Sequence, residues 1–575
     1  MCAAGFVFGE KTCEEGFLPI EPAATRARSD FGMAASGSPE ATRAAIEILE
    51  RGGNAIDAAV AAALMLGVSD PDASGLGGMT SIVIHLAKGR TVVIDGAAPT
   101  PSRVDPSRLR PFEKDDWRIG HELVAVPTTL AVLDRARSRF GTMTMADLLA
   151  PAIRVAERGF PINPVQIIWT NHYFEEILAS RYLRLTALAN GTTLSRPGDV
   201  VCRPDLARTL RCIAQHGVSS FYRGPIADII EADMHRNGGF LRKADLAMLR
   251  VKEVEPLHTT YRGTHVFTIP PPGGGFAVIE ALDILETFHS TFLAEDTIDR
   301  HHTLLEAFRI ALADRNLAPG FDASSRNVAS LATRKDHAQI RAGLIVSGRV
   351  IADSELYGPT DPECAPKGES TTQVSVTDRL GNVVSLTQTL GRSWGSKVMT
   401  PGLGFPYNSL LEGFNYDKPR CPGYLQPHIP CPHHMAPTIV LSADGSLLVA
   451  LGSSGSDLIP SIIANVISNL VDREMGLEEA IATPRVLFGG GDVLAPWMEV
   501  ATPITDAHID ALEGAGHAAA KRVHFPPTTA CAVYFGGVNA VGWDADAMTF
   551  VGVGDGRRWG SAKGPRVAAD PNSAR

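Results

Sequence analysis

No two cysteines in this sequence form a CxxC pair or a zinc-finger spacing, which removes the usual signals for a structural metal or a redox motif. The eight present are Cys2, Cys13, Cys202, Cys212, Cys364, Cys421, Cys431 and Cys531. Scattered in this way, they read as buried thiols of the kind kept in a reducing compartment. A dense Lys/Arg stripe is also missing, and the net charge of −10 argues against a nucleic-acid partner. No apolar stretch is both long and clean enough for a membrane span. Ala55–Val68 is broken by Asp57, and Leu458–Val471 by Pro460, Ser461, Asn465, Ser468 and Asn469. Met1–Arg28 lacks the basic start and apolar core of a signal peptide, so the sequence predicts a cytoplasmic protein. There is no internal repeat, no phosphate-loop pattern and no HExxH helix. Gly75-Leu76-Gly77-Gly78 does not complete a dinucleotide fingerprint, and Gly452-Ser453-Ser454-Gly455-Ser456 misses the GxSxG elbow at its last position. No cofactor and no metal is expected.

What remains is an ordinary globular composition, 45% hydrophobic and 20% charged over 575 residues, enough for a large core without disulfide staples. Residues 1–30 read as an irregular arm. Ser38 followed by Pro39 and Glu40 signals a helix start, with an apolar stripe ending at Gly52-Gly53. Ala55–Leu66 is apolar nearly all round and predicts a buried helix. Thr80–Leu86 and Thr91–Asp95 read as paired strands. Ala146–Arg158, Ile226–Arg236, Phe276–Phe288 and Thr303–Asp314 have helical periodicity. Ala352–Gly368, with three prolines, predicts an exposed, extended connector. The pattern then changes: Thr371–Asp378 alternates as TTQVSVTD, Gly381-Asn382 is turn chemistry, and Val383–Leu390 returns as a second strand. Thr438–Ala443, Ser446–Leu451, Ala532–Phe535 and Val538–Asp544 read as further strands, and Asp457–Leu470 and Leu477–Ala482 as helices. The result is an α+β fold with a helix-rich region, 31–370, and a strand-rich region, 371–575, sharing one sheet core.

A threonine hydroxyl is a poor nucleophile at neutral pH and needs a base beside it. Placing the residue at a chain terminus supplies one, an α-amino group of pKa near 8 within reach of its own Oγ. Around Ser370 and Thr371 the parts for this are present. A Pro-rich connector precedes the threonine and a stiff strand follows it. An antiparallel return brings Thr389 near Thr371. A paired threonine at a strand start is equally at home as a purely structural element.

The stretch TTQVSVTDRLGNVVSLTQTL resembles the small-subunit start of the γ-glutamyltranspeptidase family of N-terminal-nucleophile hydrolases. GMAASGSPEATRAAIEILERGGNAIDAAVAAAL (Gly32–Leu64) and PDASGLGGMTS (Pro71–Ser81) resemble the family's opening helices and Gly-rich turn. LLAPAIRVAERGFPI, YRGTHVFTIPPPGGGFAVIEALDILE, LLEAFRIALADR, APTIV, LGSSGSDLI and GVGDGRRWGSA follow in the family's order. The resemblance implies a four-layer αββα sandwich and autocatalytic cleavage between Ser370 and Thr371. It implies two subunits that stay associated, with a dimer of such pairs as a further assembly it allows. Thr371 is then the nucleophile, Thr389 the hydroxyl that holds it, and Gly455 and Ser456 the backbone donors of the oxyanion hole. A plain Gly/Ser turn is the alternative for the last two.

The amino-acid clamp of the family is not preserved. The early arginine segment is shortened to Asp95-Gly96-Ala97-Ala98-Pro99, without the arginine. Gly391 stands where the family has Asn two residues beyond the orienting threonine. Leu410 and Gly413 stand in place of its Gln and Asp, and His433 and His434 in place of two serines. A free α-carboxylate and α-ammonium need charged or strongly polar partners, so the departures point to an acylase or amidohydrolase acting on a small-molecule amide. The alternatives are a true γ-glutamyltransferase with a rebuilt glutamate pocket, and an uncleaved, silent binding protein. Arg392 with His433 and His434 offers a different carboxylate site; otherwise Arg392 lies at the surface and the histidines pack the Pro-rich loop.

Overall fold

The computed structural model describes residues 24–109, 119–317, 333–357, 370–416, 423–489, 495–501, 504–524 and 530–566, apart from 502 and 503 and with isolated positions at 327, 330, 331 and 419. Two seven-stranded sheets form its centre. One runs in the order Arg26–Ser29, Thr549–Gly554, Gly537–Asp544, Leu447–Ser454, Thr438–Leu441, Thr264–Thr268, Leu257–Tyr261. The other runs Ser561–Lys563, Gly32–Ser36, Ser370–Asp378, Val383–Gly391, Met79–His85, Thr91–Asp95, Lys252–Val254. Each takes strands from both sides of position 370.

The strand pattern decides which side chains meet which layer. Alternation along Ser370–Asp378 sends Val374 and Val376 to a helical layer built from Pro39–Glu50, Ala55–Ser69, Met145–Arg158 and Pro204–His216. A second helical layer, Gly275–Glu286, Ile298–Leu317 and Ile459–Val471, covers Val266, Val440, Val449 and Leu451 of the other sheet. Between the sheets lies a third core of mainly small and β-branched residues, among them Ala35, Val83, Val93, Ala450 and Val541. Helix, sheet, sheet and helix thus stack as the αββα sandwich that the family resemblance implies.

Local chemistry explains the key elements. Ser38 Oγ accepts from Ala41 N at 3.2 Å and caps the first helix. Asn54 and Asp57 form a reciprocal capping box at the second, which is buried on every face. In the hairpin, Asp378 Oδ1 accepts from Leu380 N and Asn382 N at 2.9 and 3.0 Å, and Gly381 supplies a φ of +90°. The other carboxylate oxygen of Asp378 accepts from Ala55 N at 3.0 Å, tying the turn to the buried helix.

The inter-sheet space also holds polar groups that alternation alone did not predict. Gln373 Nε2 donates to the hydroxyls of Ser375 and Ser385, and its Oε1 accepts from Thr387 at 2.6 Å. Ser375 and Ser385 donate across the gap to the carbonyls of Asn539 and Leu451 at 2.8 and 2.7 Å. These bonds cross between the two sheets and satisfy groups that burial would otherwise penalise.

Several sequence expectations are corrected. Arg26–Ser29 is not an irregular arm but an edge strand paired with Thr549–Gly554; residues 1–23 lie outside the described residues. Ala530–Phe535 is a short 3₁₀ segment, not a strand. Asp353–Tyr357 in the supposed connector is helical, and 358–369 lie outside the described residues. Cys202 is disulfide-bonded while Cys212 and Cys431 are buried thiols, so cysteine usage no longer points to a reducing compartment. Among the described residues no helix is long and apolar enough to cross a membrane.

Candidate active site

Thr371 is the second residue of its strand and pairs in register with Thr389 of the returning strand. The ladder shifts register between Ser370 and Thr371, so regular pairing begins at the threonine. Thr371 Oγ1 donates to Thr389 Oγ1 at 3.3 Å, and Thr389 Oγ1 accepts from Gly391 N at 2.9 Å. Both threonines are buried. The sequence placed these two hydroxyls together, and the geometry does so through direct cross-strand pairing.

Both threonines line a pocket of about 450 Å³ together with Ser409, Leu410, Glu412, Met435 and Ser456. Ser456 follows Gly455 at the junction between the strand Leu447–Ser454 and the helix Ile459–Val471. Gly455 has a φ of +134° and Ser456 of +59°, so this serine adopts the left-handed backbone more usual for glycine. The junction lies at a helix start, where backbone N–H groups lack intrahelical acceptors and favour negative charge.

Arg392 is not at the surface. It is buried, with Nε donating to Glu412 Oε2 at 2.6 Å, and Ser409 Oγ accepts from its backbone N–H at 3.2 Å. Its charge is therefore matched by Glu412 inside the protein, and it does not join the histidines in a carboxylate site. Sequence reading missed Glu412, because nothing in the spacing of a short, irregular stretch signals a long-range ion pair. Glu412 Oε1 is buried at the pocket wall and has no hydrogen-bond partner.

His433 and His434 do reach the pocket. Burial, reinforced by the Arg315 guanidinium, lowers the His433 pKa to about 3, so its ring stays neutral at ordinary pH. Arg315 is itself buried and donates to the His433 carbonyl at 2.9 Å. Leu410 lines the same wall, whereas Gly413 ends the short 3₁₀ segment Leu410–Gly413 and offers no side chain.

A second cavity of about 340 Å³ touches Thr371 from its other side and is lined by Thr372, Asp70, Asp72, Trp169, Asn539 and Arg558. Burial pushes Asp70 up to about 6 against the opposing pull of the Thr372 hydroxyl and Arg558. Asp72 is raised too, by burial and then by Asp70. The two titrate as a pair. Neither was singled out from sequence, since both lie in a loop whose distance to Thr371 only the fold closes.

Comparison with known proteins identifies the family and the fold. The family model described as gamma-glutamyltranspeptidase matches residues 41–564. A glutathione hydrolase proenzyme of Pseudomonas sp. (strain A14) is 33% identical over 476 residues, covering 80% of this chain and 81% of that protein. An acylase ACY 1 proenzyme of Pseudomonas sp. (strain V22) is 33% identical over 527 residues, 90% of each. The crystal structure of cephalosporin acylase from Bacillus halodurans superposes with a TM-score of 0.81 at 26% identity, covering 96% of this chain and 98% of that one.

Proposed function

The chain belongs to the γ-glutamyltranspeptidase family, and from that premise we propose that it is an acylase whose nucleophile is Thr371, freed by cleavage after Ser370. The observation that carries the reading is the Thr371 hydroxyl, held 3.3 Å from Thr389 Oγ1 at the start of a rigid strand and facing a pocket. Both sequence relatives described above are named as proenzymes, which accords with a chain that matures by cleavage.

In the precursor, Thr371 Oγ attacks the Ser370 carbonyl carbon, its proton passing to the departing Thr371 nitrogen. Water then hydrolyses the resulting ester and leaves a free α-amine on Thr371. In turnover that amine takes the Oγ proton as the hydroxyl attacks a substrate amide. The tetrahedral oxyanion is held by the N–H groups of Gly455 and Ser456, where one lost donor typically costs about 2.7–4 kcal/mol. Collapse breaks the C–N bond, the amine leaves with the proton, and water releases the acyl group. The segments 31–370 and 371–575 stay associated because both sheets interleave strands from each.

The acyl pocket supports a substrate without the free amino-acid head. Glu412 at its wall is paired with the buried Arg392 behind it, His433 is neutral, and Leu410, Pro432, Met435 and Ile459 supply apolar wall. Among the described residues that line the pocket, a glutamyl α-carboxylate therefore meets no arginine or lysine, and an unmatched buried charge is costly. One observation favours the runner-up, a rebuilt glutamate pocket: Glu412 Oε1 is buried there without a donor and offers an acceptor for an ammonium group. Turnover of matched p-nitroanilides separates the two. The acylase reading expects aliphatic acyl anilides to exceed γ-glutamyl-p-nitroanilide in kcat/KM; the reverse order supports the rebuilt pocket.

A further inference from the structure

Away from the threonines, in the outer helical layer, Glu280 of the helix Gly275–Glu286 is completely buried. Among the described residues, neither of its carboxylate oxygens has a hydrogen-bond partner other than the facing Asp314 carboxyl. His337, from the helix Lys335–Ala342, brings Nε2 to 3.5 Å from Glu280 Oε1 and 3.3 Å from Asp314 Oδ2. Asp314 lies on a third helix, Ile298–Leu317, and its other oxygen is held by Arg341 at 2.7 Å. One ligand atom from each of Glu280, Asp314 and His337 lies within 4.8 Å of the other two.

We propose that Glu280, Asp314 and His337 form a three-ligand site for a divalent cation of the zinc class, joining three helices of the outer layer. A tetrahedral ion with bonds of about 2.0–2.2 Å sets its ligand atoms roughly 3.3–3.6 Å apart, and the two separations at His337 fall in that range. Imidazole with two carboxylates is a donor set that zinc accepts and that magnesium and calcium do not favour. His337 is 31% exposed, which leaves a fourth position toward solvent for water.

Charge points the same way. Glu280, Asp283, Glu286 and Asp314 meet two fixed cations here, Lys335 against Asp283 and Glu286 and Arg341 against Asp314. With all four carboxylates ionised, as a bound cation would hold them, two negative charges are left over, the amount one divalent ion cancels. The sequence could not signal the site, because its ligands come from three separate helices with no common spacing.

A second triad, His302, Glu306 and His517, is equally close but is closed by its own hydrogen bonds. His302 Nδ1 is paired with His517 Nε2 at 2.8 Å, His302 Nε2 donates to the Val346 carbonyl, and Glu306 accepts from Arg309 through both oxygens. It therefore serves as the control.

The test is equilibrium dialysis of chelator-treated, tag-free full-length protein against Zn²⁺, read by elemental analysis, with thermal unfolding in parallel. The wild type should take up one equivalent and gain melting temperature with Zn²⁺. Glu280→Gln, which keeps the shape of the buried group, should weaken uptake by more than about 100-fold, beyond the loss typical of an outer-shell partner. His337→Ala should do the same, and His517→Ala should retain the equivalent. No uptake by the wild type overturns the proposal and leaves a proton shared between Glu280 and Asp314. Uptake that survives Glu280→Gln but is lost in His517→Ala overturns it as well.

Discussion

Thr389 accepts a hydrogen bond from the hydroxyl proposed to attack, so its effect should appear in the chemical step and not in folding. Thr389→Val keeps the branched shape and removes the oxygen. A neutral hydrogen bond is worth about 0.5–1.5 kcal/mol, so kcat should fall about 2- to 10-fold with KM little changed. Steady-state kinetics on the mature enzyme check this. Glu412→Gln has a different signature. It leaves Arg392 buried opposite a neutral amide, and breaking such a pair costs up to about 3–5 kcal/mol. Denaturant unfolding should show a lower midpoint, and γ-glutamyl anilide activity should not rise. Residues of this kind were only half legible from sequence. Strand alternation and hairpin return placed Thr371 beside Thr389, and only the family resemblance singled the two out for catalysis. Arg392 was misread as a surface group, because its partner Glu412 lies 20 residues on across an irregular loop.

At the scale of elements, the fold depends on close approach between sheets. A Cβ added at Gly452 would come within 2.1 Å of Gln373 Oε1, the atom that accepts from Thr387. Gly452→Ala should therefore destabilise by about 1–3 kcal/mol, read as a lower denaturation midpoint with unchanged chain processing. The loop after the buried helix carries a pH signature. Asp70 binds its proton more tightly folded than unfolded, since its pKa rises from 3.8 to about 6. Between those values the native state holds more protons than the unfolded one, so stability from this group falls as pH rises. Asp70→Asn removes that dependence. Its stability relative to wild type should be near zero at pH 4 and grow to roughly 3 kcal/mol above pH 6, as measured by urea unfolding across that range. The helices and the hairpin were readable because their periods, caps and turn residues agree locally. Ala532–Phe535 was misread as a strand because a short apolar run fits a strand as well as a helical turn. Arg26–Ser29, RARS, has no apolar alternation, and only its partner strand Thr549–Gly554 makes it β.

At the scale of the whole molecule, strands from both sides of position 370 alternate within each sheet, so a cut there would leave two chains locked into one core. That interleaving could be expected only through the family resemblance, since strand order across 500 residues has no local signature. The polar bridge between the sheets was likewise invisible, because strand alternation does not say what covers the polar face that carries Gln373, Ser375 and Ser385. The central claim is that Thr371 becomes a chain terminus and carries the acyl group. Intact-mass analysis of purified wild type and Thr371→Ala, before and after brief reaction with an acyl anilide, tests it most directly. The account predicts two wild-type chains divided between Ser370 and Thr371, with the acyl mass added only to the chain beginning at Thr371, and a single inert chain of 61.2 kDa for the variant. An undivided wild-type chain that still hydrolyses the anilide would contradict it.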